Sequence, residues 1–474
     1  MKFFNPFFCV SAYLFSAYVT TAVVVNTNVI KDIDLTKPLI TDTIRIVVTN
    51  KIEDSANDKP IDKYSYFIEP RIFDKINEIQ AAEIKTGNPL KISSNGFNEK
   101  WNAYEFFVHF ASPLNLGEKI SIKIYTSYFE PLSPQPNEIA LNEKAFFKWT
   151  GNAYVFLPYS TLKQKTVIKL PSSNIASYNN TLAPVSVKNQ EITYGPYIDV
   201  LPHFKAPVTL YFHMERTQIY IERFTRKATV SHFSNVFGID DYTNIINANP
   251  KLASFSRVEY LISNYRGGVK NAVGKLSLNI PSDAKNVYFT DMIGNISSSE
   301  ISKSTKPNMK LLKLTPRFPI LSGWKFSCNY GYDSSLSNFL KFDKSSNTYN
   351  LKVQAYPDPI ETAIKEYELS IVLPEGAKNI KYNIPFLTES VTITKEFSFL
   401  DFSGRPKILI RKLNVDPMTL NDVVVSYTYS NLQLLVKPII AAGLIFLIAF
   451  ACSIISSFEV TLTKINAKSS KNKN

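Results

Sequence analysis

Apolar and polar residues alternate with a period of two along much of the chain. The pattern occurs in the segments 43–50, 119–129, 208–215, 217–224, 275–281, 367–374 and 423–430. In 208–215, for example, Val208, Leu210 and Phe212 form an apolar face, and His213 lies on the polar face, where we expect solvent. Because successive strand side chains point to opposite faces, the pattern predicts strands with one buried face.

Helical periodicity is sparse by comparison. Only Ile72, Ile76 and Ile79 in IFDKINEIQAAEIK predict a short helix. A chain of 474 residues is long enough for two or three domains, and we find no clear internal repeat. We therefore predict a mainly β fold with two tandem antiparallel β-sandwich-like domains, at 23–230 and 231–435, and one C-terminal transmembrane helix.

The two apolar ends predict the compartment. Residues 1–22 have a lysine, an apolar run and small residues before a cleavage point, the pattern of a signal peptide rather than of an uncleaved anchor. Residues 438–458 carry no charge and are long enough to cross the roughly 30 Å hydrocarbon layer as a helix, which favours a span over a buried soluble helix. Lysines in the tail, 459–474, predict that it is cytosolic and that the body lies in the secretory lumen.

Composition and charge narrow the class of partner. Aromatic residues make up 13% of the chain, which favours strands. The net charge is +13, but the lysines are scattered singly and no RNA-binding motif is present, so nucleic acid is not an expected partner.

Cys9 and Cys452 lie in the terminal apolar segments, which leaves Cys328 as a buried small hydrophobe and excludes a disulfide within the body.

No catalytic or metal-binding constellation stands out, and we predict neither cofactor nor metal. Asp32 and Asp34 form an Asp-x-Asp, which can hold a divalent metal against a nucleotide diphosphate, but no α/β nucleotide-binding pattern follows. We interpret them as solvated carboxylates before a strand. The neighbours Asp240 and Asp241 are expected to point apart and not to form a general acid/base pair.

One segment, TPRFPILSGWKF at 315–326, is hard to reconcile with regular structure because its prolines exclude a central strand and a helix interior. It contains Arg317, Phe318 and Trp324. Either the aromatic side chains form a rigid core plug, with the arginine bonded to backbone carbonyls, or the three residues form a contact for a partner. In VYFTDMIGN, Asp291 is a candidate for pairing with a basic residue.

Two sequons predict glycosylation in a lumenal body. They are Asn179-Asn180-Thr181 and Asn295-Ile296-Ser297. Asn295 is the better candidate because it follows a glycine in a predicted turn.

From residue 228 onward the sequence resembles the ribophorin I family of endoplasmic reticulum oligosaccharyltransferase subunits. The matching segments are collinear: ATVSHFSNV at 228–236, SFSRVEY at 254–260, VYFTDMIGNISSS at 287–299, PRFPILSGWK at 316–325, VLPEGAKNI at 372–380 and DFSGRP at 401–406. The N-terminal half is similar mainly in general character. The chain departs from the family in having His232-Phe233 where the family has His-Trp, and in its short tail, which resembles the fungal form.

The resemblance implies a non-catalytic subunit of the complex that transfers a preassembled oligosaccharide from dolichyl diphosphate to asparagine in Asn-x-Ser/Thr. In this family the chemistry belongs to a separate multi-pass subunit with a Trp-Trp-Asp motif, whereas Trp101, Trp149 and Trp324 here are not adjacent. The implied partners are that catalytic subunit, other small membrane subunits, nascent polypeptides and the endoplasmic reticulum membrane.

Three other functions stay open at this point. The chain could hold acceptor substrates within the complex by strand addition, act as a glycosyltransferase itself through Asp32 and Asp34, or be a lumenal chaperone- or receptor-like single-pass protein.

Overall fold

A computed structural model describes the chain over residues 23–51, 60–141, 143–214, 217–266, 269, 271–358 and 362–457. The predicted signal peptide, 1–22, and the predicted cytosolic tail, 459–474, lie outside the described residues.

The first half of the body, up to residue 214, is built from strands and one short helix, α1, at Pro70–Phe73. The strands are β1 Val23–Asp34, β2 Ile40–Lys51, β3 Ile61–Ile68, β4 Ile76–Glu83, β5 Pro89–Leu90, β6 Ile92–Asn98, β7 Ala103–Leu114, β8 Lys119–Tyr128, β9 Ser133–Pro134, β10 Glu138–Ile139, β11 Phe146–Asn152, β12 Thr161–Lys169, β13 Ile175–Tyr178, β14 Val185–Lys188, β15 Glu191–Val200 and β16 Pro207–His213.

One long sheet organises this half, with the strand order β14-β15-β12-β1-β2-β8-β4-β5. Two smaller sheets, β3-β7-β6 and β13-β16-β11-β9, cover it. Each makes its own buried cluster with the long sheet, because Tyr64 of β3 shares one cluster with Ile46, and Phe147 of β11 shares another with Ile33. The first half is therefore a two-layer β-sandwich with a divided core.

The second half, from residue 217 to residue 435, repeats this plan. Its strands are β17 Ile219–Ser231, β18 Val236–Asn247, β19 Lys251–Leu252, β20 Leu276–Pro281, β21 Lys285–Asp291, β22 Glu300–Lys303, β23 Met309–Leu314, β24 Lys325–Ser335, β25 Leu340–Asp343, β26 Thr348–Val353, β27 Ile364–Val372, β28 Lys378–Asn383, β29 Ser390–Glu396, β30 Arg405–Val415 and β31 Val423–Thr428. Helix α2 spans Arg257–Arg266, and short 3-10 helices occupy Leu336–Asn338, Pro417–Thr419 and Asn431–Leu435.

The long sheet of the second half has the order β21-β24-β18-β17-β27-β30-β29, and the smaller sheets are β20-β23-β22 and β25-β26-β31-β28. In both halves the first long strand pairs antiparallel with the next strand and parallel with a much later one. Strand β1 pairs antiparallel with β2 and parallel with β12. Strand β17 pairs antiparallel with β18 and parallel with β27. A bulge interrupts the antiparallel register in both, between Asn26 and Asn28 and between Ile221 and Arg223. The two halves are thus a repeat of topology that the sequence does not reveal.

The mainly β prediction is confirmed, and the seven alternating segments fall on β2, β8, β16, β17, β20, β27 and β31. The two long sheets are mixed rather than purely antiparallel, because each contains a central parallel pair. The predicted helix around Ile76 and Ile79 is wrong: apart from α1, this segment forms β4, whose pairing with β8 overrides the helical spacing. His213 is also buried rather than solvated, with Nδ1 2.7 Å from the carbonyl of Ala145.

The two halves meet through a small apolar contact, backbone hydrogen bonds, and hydrogen bonds from the side chains of Asn271 and Asn414 to backbone carbonyls of the first half. Leu39 and Phe129 of the first half form a cluster with Ala363 of the second. Strand β10 also pairs in parallel with β19 across the junction. Residue 230 lies inside β17, which already pairs with β18 and β27, and we therefore propose that the division between the domains falls between β16 and β17.

A basic residue occupies the equivalent buried position of each half, three residues after the second bulge position. In the second half Arg226 donates to both carboxylate oxygens of Asp241, at 2.8 and 2.6 Å, and to the carbonyl of Gln354 at 2.9 Å. The exposed fraction is 1% for both Arg226 and Asp241. This ion pair is fully enclosed and bidentate, the geometry that best offsets the cost of burying charge.

In the first half the equivalent residue is Lys31. Its Nζ is 3.5 Å from Oδ2 of Asp42, and Oδ1 of Asp42 has no hydrogen-bond partner among the described residues. The pair borders a cavity of about 60 Å³ that Trp149 also lines. Burial raises the pKa of Asp42 above its ordinary value, and the nearby Lys31 only partly opposes this effect.

The chain ends its described part in α3, Val436–Ser457. This helix has 22 residues, which at 1.5 Å per residue span about 33 Å, and it is long and apolar enough to cross a membrane. The predicted C-terminal apolar helix is therefore confirmed.

Cys328 is buried on β24, as predicted, and burial raises its pKa to about 12.

Candidate interaction surface

The acidic residues considered for catalysis have structural partners. Asp32 and Asp34 lie within β1, not before a strand as expected. Asp32 forms an ion pair with Arg45, and Oδ1 of Asp34 accepts a hydrogen bond of 2.9 Å from the backbone N–H of Thr36. Among the residues that the structure describes, no group of three or more His, Cys, Asp and Glu side chains is arranged to hold a metal ion.

Asp240 and Asp241 point to opposite faces of β18, as predicted. Asp241 is buried against Arg226, whereas Asp240 accepts a hydrogen bond of 2.7 Å from the hydroxyl of Tyr288 at the surface. The two carboxylates serve separate structural roles.

The irregular segment 315–326 divides into a buried base and an exposed aromatic pair. Ile320 and Leu321 are almost fully buried, whereas Phe318 is 39% exposed and Trp324 is 40% exposed. The backbone turns sharply at Gly323, whose φ of +78° lies in the left-handed region that glycine adopts without strain. The aliphatic residues therefore anchor the segment, and the aromatic side chains lie at the surface.

Asn247 fixes this base from beneath. Its buried Nδ2 donates hydrogen bonds of 2.9 Å to the carbonyls of Ile320 and Asn271. Its backbone also exchanges hydrogen bonds with Gly323 and Trp324, at 2.9 and 3.0 Å. Because the backbone is held at several points, the surface aromatic pair stands on a rigid support.

Arg317 clamps the neighbouring turn. Its guanidinium donates to both carboxylate oxygens of Asp291, at 2.8 and 3.1 Å, and to the carbonyl of Asn295 at 3.2 Å. The hydrogen bonds from Arg317, together with two backbone N–H groups of the turn, lower the pKa of Asp291 to about 2. Met292 and Ile293 lie in the turn that this clamp fixes, and their side chains are 92% and 76% exposed.

Helix α2 adds an apolar stripe. The hydroxyl of Ser256 accepts a hydrogen bond of 3.3 Å from the backbone N–H of Glu259, and this Ser-x-x-Glu spacing is that of a capping box. Apolar side chains recur at positions i, i+3, i+4 and i+7 and are all exposed: Val258, Leu261, Ile262 and Tyr265. A helix of a water-facing protein normally buries such a stripe.

Phe255 connects α2 to the aromatic pair. The ring of Phe255, two residues before α2, is 6.3 Å from that of Trp324, which in turn lies edge-to-face with Phe318 at 5.8 Å. We call the surface formed by Phe255, Val258, Leu261, Ile262, Tyr265, Phe318 and Trp324 the aromatic surface. Exposed apolar side chains gathered on one surface are typical of interaction sites.

Phe318 and Trp324 stood out in the sequence, whereas the helical part of this surface was not predicted. The signal was present in SFSRVEYLISNYR, in the capping box and in the spacing of the apolar residues.

The two predicted glycosylation sites lie in turns. Asn179 is half-buried, and its Oδ1 accepts hydrogen bonds of 3.0 and 2.7 Å from the backbone N–H and the hydroxyl of Thr181. Asn295 is exposed and follows Gly294, as the sequence predicted for its turn. Their occupancy stays a prediction.

Comparison with known proteins identifies relatives along almost the whole chain. The family model described as Ribophorin I matches residues 24–456. Subunit 1A of the dolichyl-diphosphooligosaccharide–protein glycosyltransferase of Arabidopsis thaliana is 29% identical over 362 residues, which are 76% of this chain and 57% of that protein. Subunit 1B of Oryza sativa is 26% identical over 92% of this chain and 91% of that protein. Subunit 1 of Caenorhabditis elegans is 26% identical over 80% and 64%.

The match thus spans less than two thirds of two of these relatives and nearly all of the third. Among solved structures, native yeast LTA4 hydrolase is 12% identical, with a TM-score of 0.28 over 45% of this chain and 29% of that one. An M1 zinc metallopeptidase of Deinococcus radiodurans is 10% identical, with a TM-score of 0.26 over 44% and 48%. Scores this low carry no argument about this chain.

Proposed function

Because the chain belongs to the ribophorin I family, whose model matches residues 24–456, we propose that it is a non-catalytic subunit of the oligosaccharyltransferase. This complex transfers a preassembled oligosaccharide from dolichyl diphosphate to asparagine in Asn-x-Ser/Thr of nascent proteins. The observation that carries the proposal is the extent of the match, which includes both halves of the body and nearly all of α3. The engagement of Asp32 with Arg45 and of Asp34 with Thr36 supports a structural rather than a catalytic role for these acids.

In this proposal α3 crosses the endoplasmic reticulum membrane, the body lies in the lumen and residues 459–474 lie in the cytosol. Glycans occupy Asn179 and Asn295. Two measurements test the orientation. Endoglycosidase treatment of the protein from membranes reports its glycans, and Asn179→Gln and Asn295→Gln should each remove one of them. Protease added outside sealed vesicles should leave the body intact. Digestion of the body in sealed vesicles contradicts the proposed orientation.

The aromatic surface is proposed as the contact with the catalytic multi-pass subunit. Tryptophan, tyrosine and arginine are over-represented among the residues that dominate binding energy at protein interfaces. Trp324 and Tyr265 provide such anchors, and Arg317 at the margin is already held in place by Asp291. A rigid support lowers the entropy cost of binding.

Substitution within the aromatic surface tests this contact. A tagged full-length chain carrying Trp324→Ala and Leu261→Ser should recover less of the catalytic subunit in mild detergent. Trp324 is 40% and Leu261 55% exposed, so neither belongs to the buried core, and the level of the variant chain itself should be unchanged. Ile198→Ala, at a 74% exposed position of the first half, is the matched control. Full recovery of every subunit with the double variant contradicts the assignment of this surface.

A separate test addresses catalysis by this chain itself. Asp32→Asn combined with Asp34→Asn should leave glycosylation of an acceptor peptide unchanged when the protein level is normal. Loss of transfer at a normal protein level would support catalysis through these acids instead.

A groove favours a second role, the holding of acceptor chains within the same complex. The groove has a cavity volume of about 780 Å³, and it is lined by Ile79, Leu90 and Tyr125 of the first half and by Leu387 of the second. Strand β4 pairs with β5 only at Ala81 and Ala82, so the rest of its outer edge offers backbone groups for strand addition.

A photo-crosslinking residue at position 387 tests this role. It should form adducts with nascent glycoproteins in the assembled complex, and the same residue at position 198 should not. Absence of adducts from position 387 contradicts substrate holding in this groove and leaves the role as a subunit unaffected.

A further inference from the structure

Three phenylalanine side chains project from one loop. The loop, residues 397–404, joins β29 to β30, and Phe397, Phe399 and Phe402 are 66%, 85% and 84% exposed. Exposing three large rings to water on eight residues is unfavourable, because burying each one would stabilise the protein. The loop therefore requires a partner.

The polar groups of this loop turn inward and fix its shape. The side chain of Asp401 is fully buried, and its Oδ2 accepts hydrogen bonds of 2.9 Å from Nε of Arg405 and 2.7 Å from the backbone N–H of Ser398. Oε1 of Glu375 accepts from two further backbone N–H groups of the loop, at 2.8 and 2.6 Å. The rings are thus presented by a loop whose conformation does not depend on their packing.

The same carboxylate connects the loop to the start of α3. Nζ of Lys437, the second residue of the helix, is 2.7 Å from Oδ1 of Asp401 and donates to the carbonyl of Phe399 at 3.3 Å. A helix of 22 residues is about as long as the hydrocarbon layer is thick, so its first turn lies at the membrane interface. The ion pair holds the loop at that level.

Two further features match a lipid surface. Leu432 and Leu435, in the 3-10 helix that leads into α3, are 74% and 54% exposed and extend the apolar area towards the span. Asp401 forms ion pairs with both Lys437 and Arg405, so each of these three charged groups has a partner of opposite sign.

We propose that Phe397, Phe399 and Phe402 insert into the interfacial layer of the leaflet from which α3 enters the body, and that the partner of this loop is lipid. The inference rests on the proposal that α3 spans the membrane. Aromatic and aliphatic side chains are favoured at this depth. A body attached to the membrane by a single helix is free to change its tilt relative to the bilayer. A second membrane contact beside the helix therefore sets the orientation of the second half above the bilayer.

Spin labelling of the full-length chain in phosphatidylcholine vesicles tests the insertion. Nitroxides are placed on Phe399→Cys and Phe402→Cys in a background that carries Cys9→Ser and Cys452→Ser, and the native Cys328 does not react because it is 1% exposed. Membrane insertion raises collision with oxygen and lowers collision with a water-soluble nickel chelate. The oxygen-to-nickel ratio should be several-fold higher at both positions than at an Ile198→Cys control.

Each other outcome overturns the inference in a distinguishable way. Equal ratios at positions 399 and 198 place the rings in water. Low collision with both reagents in the assembled complex means that protein, not lipid, covers the loop. A separate sample that keeps native Cys452, within α3, and carries no added cysteine reports on the span itself. If the label on Cys452 is shielded from nickel while position 399 is not, only the loop inference fails. If the label on Cys452 is open to nickel, the proposed span fails as well.

The role of the ion pair in positioning is tested separately. Asp401→Asn should lower the oxygen-to-nickel ratio at position 399, while Lys437→Arg, which keeps the charge, should preserve it. An unchanged ratio in Asp401→Asn shows that the ion pair does not set the depth of the loop.

Discussion

The first and second halves of the body place a basic side chain at the same point of the same strand order, but they surround it differently. Arg226 has a bidentate carboxylate and a backbone carbonyl within hydrogen-bond distance, whereas Lys31 has one carboxylate oxygen at 3.5 Å and a cavity beside it. The hydrophobic core follows the same trend, since among the described residues it forms one continuous cluster in the second half and three clusters in the first. A shared topology therefore fixes where a buried charge lies, and the surrounding side chains decide how strongly it constrains the fold.

The turns after equivalent strands differ as well. After β4 the turn carries Lys85 and Thr86, whereas after β21 it presents the exposed Met292 and Ile293 under the Arg317 clamp. The aromatic surface and the phenylalanine loop also belong to the second half. These two proposed contacts thus lie in the half with the more tightly organised core, whereas the proposed groove for acceptor chains is lined mainly by the first half.

The largest effect is expected from Asp241→Asn. The change leaves Arg226 buried without an opposing charge, which should cost about 3–5 kcal/mol of unfolding free energy. Denaturant unfolding of the full-length chain in detergent, followed by tryptophan fluorescence, measures it. Asp240→Asn, one residue away and at the surface, is the control and should cost no more than about 1 kcal/mol. Equal losses in the two variants would contradict the importance of the enclosed pair.

Arg226→Lys gives the second half the side chain of the first. Lysine cannot donate in the fork geometry that reaches both carboxylate oxygens and the carbonyl of Gln354, so we expect a loss of about 1.5–3 kcal/mol. The same unfolding measurement applies. A loss below about 0.5 kcal/mol would mean that the bidentate geometry contributes little and that the two halves are energetically alike.

Asp42→Asn should change the unfolding free energy by less than about 1 kcal/mol, because relief of carboxylate desolvation offsets the loss of the Lys31 contact. The raised pKa of Asp42 gives the sign of a pH effect. The folded state binds this proton more tightly than the unfolded state does, so the contribution of Asp42 to stability should increase as pH falls towards the ordinary value of about 4. The variant should lack this contribution, and an identical pH profile would contradict the assignment.

The smallest effect concerns the Arg317 clamp. The pKa of Asp291 is lowered to about 2, so the contribution of its ionised form is present above the ordinary value of about 4 and is lost as pH falls towards 2. Asp291→Asn should accelerate amide hydrogen exchange in the turn 292–295, after correction for intrinsic rates, without changing the global midpoint. Unchanged exchange there would show that the clamp does not hold the turn.

The sequence predicted those parts of the fold whose pattern is local. Alternation identified β2, β8 and β27 because each buries one face. The prediction from helical spacing failed at Ile76 and Ile79. These isoleucines lie on strand β4, because the neighbouring strand β8 supplies hydrogen-bond partners for it. The repeat could not be detected in the sequence, because the two halves share a strand order and the position of a bulge but no recognisable sequence similarity.

The candidate site was only partly predictable for a related reason. Phe318 and Trp324 stood out by composition, but their exposure depends on Asn247, which is remote in sequence and holds the segment through its carbonyls. The pairing of Arg317 with Asp291 joins residues 26 positions apart. Such contacts follow from topology, which single-sequence patterns do not supply.

The most direct test of the central claim is isolation of the complex through a tag on this chain, followed by an acceptor-peptide glycosylation assay. We expect the chain to be recovered with the catalytic subunit in equal amounts and this material to transfer the oligosaccharide. The chain purified alone should not transfer it. Transfer by the chain alone, or its recovery from mild detergent as a free monomer, would contradict the central claim.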